Sequence, residues 1–141
     1  MTHEVHKVVK ETGGFRIVIA NSATSVTEDN KSDIVVDGSH CGANIAPDYL
    51  LPSGARGMIG NDAGIGLENA GIASLKTLGE HGIPAAAVAA MSAEIGIGQS
   101  TYDDGVISAV NEVAKEMGIT AGMSAKEAAD KMLAGVLKQR G

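Results

Sequence analysis

Aromatic residues are almost missing from this 141-residue chain: there is no tryptophan, one phenylalanine (Phe15) and two tyrosines (Tyr49 and Tyr102). Positive charge is the minority, with 11 Lys and Arg against 17 Asp and Glu, a net charge of −6. Without aromatic platforms or a basic stripe, a nucleic-acid partner is excluded from the expectations. Cysteine occurs once, as Cys41, so no intrachain disulfide can form and a reducing compartment fits. No apolar run approaches the ~20 residues of a membrane span, and "IPAAAVAAM" is too short. The start "MTHEVHKVVKE" is charged from its third residue and lacks the apolar stretch of a signal peptide. A soluble cytoplasmic protein with no membrane contact is the expectation.

What is abundant is small and aliphatic. Hydrophobic residues make up 44% and charged residues 20%, the balance of a folded single domain spanning 1–141. Its core must be built from Val, Ile, Leu, Ala and Met. Short apolar runs at 15–20, 33–37, 56–60 and 84–90 read as strands buried on both faces. The start reads either as a hairpin turning at Gly13-Gly14 or as a helix followed by a strand, and the hairpin is the preferred expectation. Between the runs lie helical patterns. Leu67, Gly71, Leu75 and Leu78 form one stripe closed by Gly82. Val106, Ile107, Val110, Val113, Ala114 and Met117 predict a helix over 100–118, with Asp103 and Asp104 in its first turn. A last helix has Ser124 and Glu127 in capping-box spacing, and Ala125, Ala128, Ala129, Met132, Leu133, Val136 and Leu137 on its apolar face. Pro47 and Pro52 limit any helix over 42–55 to a short one. Alternating strands and helices predict a three-layer α/β fold: a mostly parallel sheet with helices on both faces.

Ligands of such sheets bind beyond the carboxyl ends of the strands. Four polar, glycine-rich segments follow the predicted strands: "NSATS" (21–25), "GSHCG" (38–42), "NDAGIG" (61–66) and "MSAEIGIGQST" (91–101). The candidate catalytic residues are Ser39, His40 and Asp62. Ser39 is read as nucleophile or hydrogen-bond donor, His40 and Asp62 as proton-transfer groups. Asn21, Ser22, Gly38, Cys41, Asn61, Gly64 and Glu94 are the candidate ligand contacts around them. Gly98, Gln99, Ser100 and Thr101, ahead of a helix, are read as a cradle for an anion.

Each candidate has a plainer reading. Cys41 fits a small buried hydrophobe. Asn61 or Asp62 fits a turn or a helix cap, and Ser100 or Thr101 a cap. Ser39 and His40 are adjacent, so on an extended strand they point to opposite sides. No known cofactor motif is complete. The nucleophile elbow G-x-S-x-G is absent, the dinucleotide fingerprint starting at Gly64 and Gly66 fails at Asn69, and a P-loop lysine is missing. A cobalamin-type D-x-H-x-x-G fails too, since Asp37 and His40 are one residue too far apart. His3 and His6 have no companion ligands for zinc, and His81 suits a helix end. No metal and no cofactor are expected.

The elements "GSH-x-G", "NDAG-x-G", "AGI-x-x-L", "SA-x-IG" and "DGVIS-x-x-N" resemble a group of small uncharacterised bacterial α/β proteins over residues 15–118. That resemblance implies one site built from these loops and carries no activity with it. The leading expectation is an enzyme without metal, a hydrolase or a lyase/isomerase, acting on a small anionic or amide metabolite. The rival is a non-catalytic metabolite-binding subunit or sensor. Ser39, His40 and Asp62 within hydrogen-bond reach of one another favour the enzyme; a site of backbone and hydroxyl groups favours the rival. A homo-oligomer burying part of the last helix is a further expectation.

Overall fold

In the computed structural model, which describes residues 6–64 and 67–140, Gly13 and Gly14 turn the chain back between two antiparallel strands. Both glycines have positive φ (60° and 88°), the backbone that a two-residue hairpin turn needs. The strands are β1 (Lys7–Thr12) and β2 (Phe15–Ala20). Then follow β3 (Ile34–His40), β4 (Gly57–Asn61), β5 (Ala85–Val88) and β6 (Ile107–Val110). They form one six-stranded sheet in the order β1-β2-β3-β4-β5-β6. The central strands β2 to β5 are parallel, and β1 and β6 run antiparallel at the edges.

Strand order follows chain order without reversal, and parallel crossovers are right-handed. All three crossovers must therefore fall on one face. They do: Ala23 and Val26, then Ile45, Ala46, Leu50 and Ala55, then Leu75 and Leu78 share one buried cluster with Val35, Met58, Ala85 and Ala87. The crossovers are short. Two 3-10 turns (Ala23–Ser25, Glu28–Asn30) link β2 to β3. A wide turn (Ala46–Leu50) and α1 (Leu51–Ser53) link β3 to β4, as the two prolines demand. A 3-10 segment (Leu67–Ile72) and α2 (Ala73–Glu80) lead to β5, and Gly82 ends that helix with φ of 75°.

The other face is covered by α3 (Gly98–Asp104) and α5 (Ala125–Arg140), with α4 (Glu112–Glu116) between them in the chain. On α5, Ala125, Ala128, Ala129, Met132, Leu133 and Val136 pack with Ile17, Ile34, Val36, Ile59 and Ala86. The apolar face that the sequence offered to a second copy is thus buried against its own sheet. Helices lie on both faces, which makes the fold three-layered and α/β.

One expected element is corrected. The segment 100–118 is a helix, a strand and a second helix. The aspartates Asp103 and Asp104 close α3 instead of opening it. Gly105 breaks the pattern, and the β-branched run beyond it completes the sheet by pairing with the open edge of β5. Tertiary pairing overrides the 3.6-residue periodicity there. Among the described residues no helix is long and apolar enough to cross a membrane.

Candidate functional site

The carboxyl ends of β2 to β5 bring their four loops to one edge, and direct hydrogen bonds stitch them together. Gly38 N donates to Asn21 O (3.1 Å), and Gly96 N to Gly38 O (2.7 Å). Gly98 N donates to Asn21 Oδ1 (3.0 Å). Asp62 N donates to Val88 O (2.9 Å). Gly38 is required here by contact: a Cβ on it would collide with the backbone of Gly96 and Ile97. Gly60 serves β3 in the same way. Between the pairs Val36–Ile59 and His40–Asn61, residues 37–39 of β3 lie opposite Gly60 alone. A Cβ on Gly60 would meet Cys41 Sγ and Ser39 O.

The three candidate catalytic groups are near one another in the fold but not joined. Ser39 Oγ accepts from Ala23 N (2.8 Å) and donates to Ser22 Oγ (3.4 Å). Ser39 N donates to Asp37 Oδ1 (2.9 Å). Its hydroxyl proton faces a second hydroxyl, and among the described residues no base accepts from it. Asp62 is 5% exposed. Its Oδ1 accepts from Gly64 N (2.7 Å) and Ala90 N (3.0 Å), and its Oδ2 from the Ser108 hydroxyl (2.6 Å). Three donors make this carboxylate a clip between the ends of β4, β5 and β6. Among the described residues no hydrogen bond links His40 to Ser39 or to Asp62.

His40 is exposed. Its Nδ1 accepts from Gly42 N (2.9 Å). A backbone N–H can only donate, so the Nδ1 lone pair is occupied and the neutral ring carries its proton on Nε2. The ring is therefore presented as a donor, with no free basic nitrogen.

Cys41 is fully buried. Burial, and then the nearby carboxylates of Asp37 and Asp62, push its thiol well above the usual 9.0, outweighing a backbone hydrogen bond from Gly60. It is a neutral packing group, the plainer of its two readings. The loop ahead of α3 uses its own N–H groups: Gly96 and Gly98 as above, Ile97 to Glu94 O (3.3 Å) and Thr101 to Ile97 O (3.2 Å). Ser100 Oγ accepts from Glu94 N (2.9 Å), Gln99 bonds Asp103, and Thr101 is fully buried. These bonds secure the loop. Glu94 is exposed beside it.

Asn61 is fully buried at the end of β4. Its Oδ1 accepts from Ala63 N (2.8 Å), the turn expected of it, while its Nδ2 meets no acceptor among the described residues. Gly64 follows with φ of 76° and Ala63 with φ of 51°, a left-handed conformation that is costly for alanine. Gly66 and His3 lie outside the described residues. His6 bonds Ser25 and Asn30, and His81 bonds Thr77 O at the end of α2. Sequence reasoning missed Ser108, because it was assigned to a helix; the β-branched run after Gly105 was the available signal. Two surface grooves lie away from these residues, about 620 Å³ between α4 and α5 and about 380 Å³ beside α2. Comparisons with family models, with curated proteins and with solved structures found no match to this chain.

Proposed function

We propose that the carboxyl edge of β2 to β5 binds a small carboxylated or amide metabolite, and that the protein acts as a metabolite-binding subunit or sensor. The observation that carries this reading is the unequal state of the three candidate groups. Ser39 and Asp62 are engaged inside the chain, whereas His40 is exposed and fixed as an N–H donor. Such a group recognises an acceptor oxygen. It does not supply the base that a serine hydrolase requires. The lone buried thiol fits a reducing compartment, so the cytoplasm is the proposed location.

A lyase or isomerase is the second reading, favoured by the same Nε2–H, which can polarise a substrate carbonyl by hydrogen bonding without giving up its proton. Thermal-shift measurement against a panel of small carboxylates and amides tests the binding reading. A ligand at about 100 times its Kd stabilises the native state by about 2.7 kcal/mol, a clear rise in Tm. No rise with any member sinks the reading. Turnover of a panel member, lost in Ser39→Ala with binding retained, transfers the site to a hydrolase.

A further inference from the structure

Resting on that reading, we infer that His40 Nε2–H and the Asn61 side-chain amide form a two-point donor pair for one carbonyl-type oxygen group, a carboxylate or a carboxamide. Four observations lead there. Asn61 Nδ2 is a donor without an acceptor among the described residues, and a buried unmatched donor is costly. The amide oxygen is turned to Ala63 N, which directs the nitrogen away from that turn. His40 and Asn61 are paired across β3 and β4. The pairing follows a bulge and sets the two residues side by side at the carboxyl ends of neighbouring strands. His40, on its side, is exposed, with Nδ1 occupied and its proton on Nε2.

The charge around the pair decides what it accepts. The loop residues 21–25, 38–42, 61–64 and 89–98 contain no Lys and no Arg, but they do contain Asp62 and Glu94, and the buried carboxylate of Asp37 on β3 adjoins them through Ser39 N. A phosphate carries about two negative charges and is held by cations or by many N–H groups. Here the N–H groups of Gly96 and Gly98 are already engaged. Two neutral donors suit a planar group with at most one negative charge. The buried amide supplies selectivity, because a ligand lacking the oxygen leaves Nδ2 unmatched.

The test is a titration of ¹⁵N-labelled protein with acetate, acetamide and inorganic phosphate, following the Asn61 side-chain NH₂ and the His40 ring nitrogens. The expected result is that acetate or acetamide moves both saturably with a single Kd, while phosphate moves neither. In His40→Asp, which removes the ring donor at an exposed position, affinity for the better probe falls by on the order of tenfold or more. Saturable shifts at Asn21, Gly38 or Gly64 with an unmoved Asn61 NH₂ overturn the donor pair and leave the edge as a binding site. Tighter binding of phosphate than of either carbonyl probe overturns the pair on grounds of charge. No saturable shift anywhere along the edge overturns the pair, and if the thermal-shift panel is also silent the reading it rests on falls with it.

Discussion

At the edge where the parallel strands begin, Asn111 makes four side-chain hydrogen bonds; at the edge where they end, Asn61 makes one. Asn111 Oδ1 accepts from Ala85 N (3.2 Å) and Ala114 N (2.9 Å), and its Nδ2 donates to Leu75 O and Ile83 O (2.9 Å each). One amide thus joins α2 at Leu75, the segment entering β5 at Ile83 and Ala85, and the start of α4. That edge is also fixed by Arg16, whose guanidinium grips buried Asp33 with two bonds (2.9 and 2.6 Å). At the opposite edge, Asn61 leaves its nitrogen unmatched among the described residues, while exposed His40 keeps its proton on Nε2. Two buried asparagines beside strand ends look alike in sequence. Complete satisfaction marks one as structural; the incomplete set is the feature on which the proposed site rests.

The sharpest way to break this comparison is to truncate both asparagines. Asn111→Ala strands two buried N–H groups and two carbonyls, so a loss of about 3–5 kcal/mol is expected. Asn61→Ala removes a single turn bond and also deletes the unmatched donor, so its cost is at most about 1 kcal/mol. Urea unfolding of the two variants beside the parent protein measures the difference. Equal losses would erase the distinction between the edges.

This distinction was only half legible in the sequence. The apolar runs located β2 to β5, because strands buried on both faces need uninterrupted aliphatic residues. The glycine-rich segments after them located the convergent edge. Hydrogen bonds between distant residues were not legible: Asp62 finds Ser108 across 46 positions, and Asn111 finds Leu75 across 36. Ser39, His40 and Asp62 were grouped on residue type, yet type does not tell whether a lone pair is already occupied. The helix expected over 100–118 failed for a related reason. Ile107 to Val110 fit a helical stripe equally well, and only the open edge of β5 decided for a strand.

A smaller effect sharpens the reading of Cys41. Its thiol is held well above 9.0 in the folded protein, whereas in the unfolded chain it titrates near its usual value. The folded state then binds more protons than the unfolded one above that pH, so stability falls as pH rises. The contribution is intact below pH 9.0 and declines above it by up to about 1.4 kcal/mol per pH unit, until the folded thiol itself ionises. Unfolding of the parent and Cys41→Ala at increasing alkaline pH isolates this slope, because other titrating groups are common to both. An unchanged slope in Cys41→Ala removes the buried-thiol assignment, as does rapid alkylation of the native protein.

The smallest effect is expected at His40, and it separates turn geometry from recognition. Gly42 is buried, and its N–H relies on His40 Nδ1 as acceptor. His40→Ala strips that acceptor and should cost about 1 kcal/mol, the price of one unmade bond. His40→Asp places a carboxylate oxygen where it can accept from the N–H two residues on, as aspartate does in turns, so stability should stay within about 0.5 kcal/mol of the parent. Both variants lack the outward Nε2–H, and the aspartate also repels an anion. Ligand binding should therefore weaken in both, while unfolding distinguishes them. If His40→Asp binds acetate or acetamide as well as the parent does, His40 serves only the 40–42 turn, and the two edges of the sheet differ in packing alone.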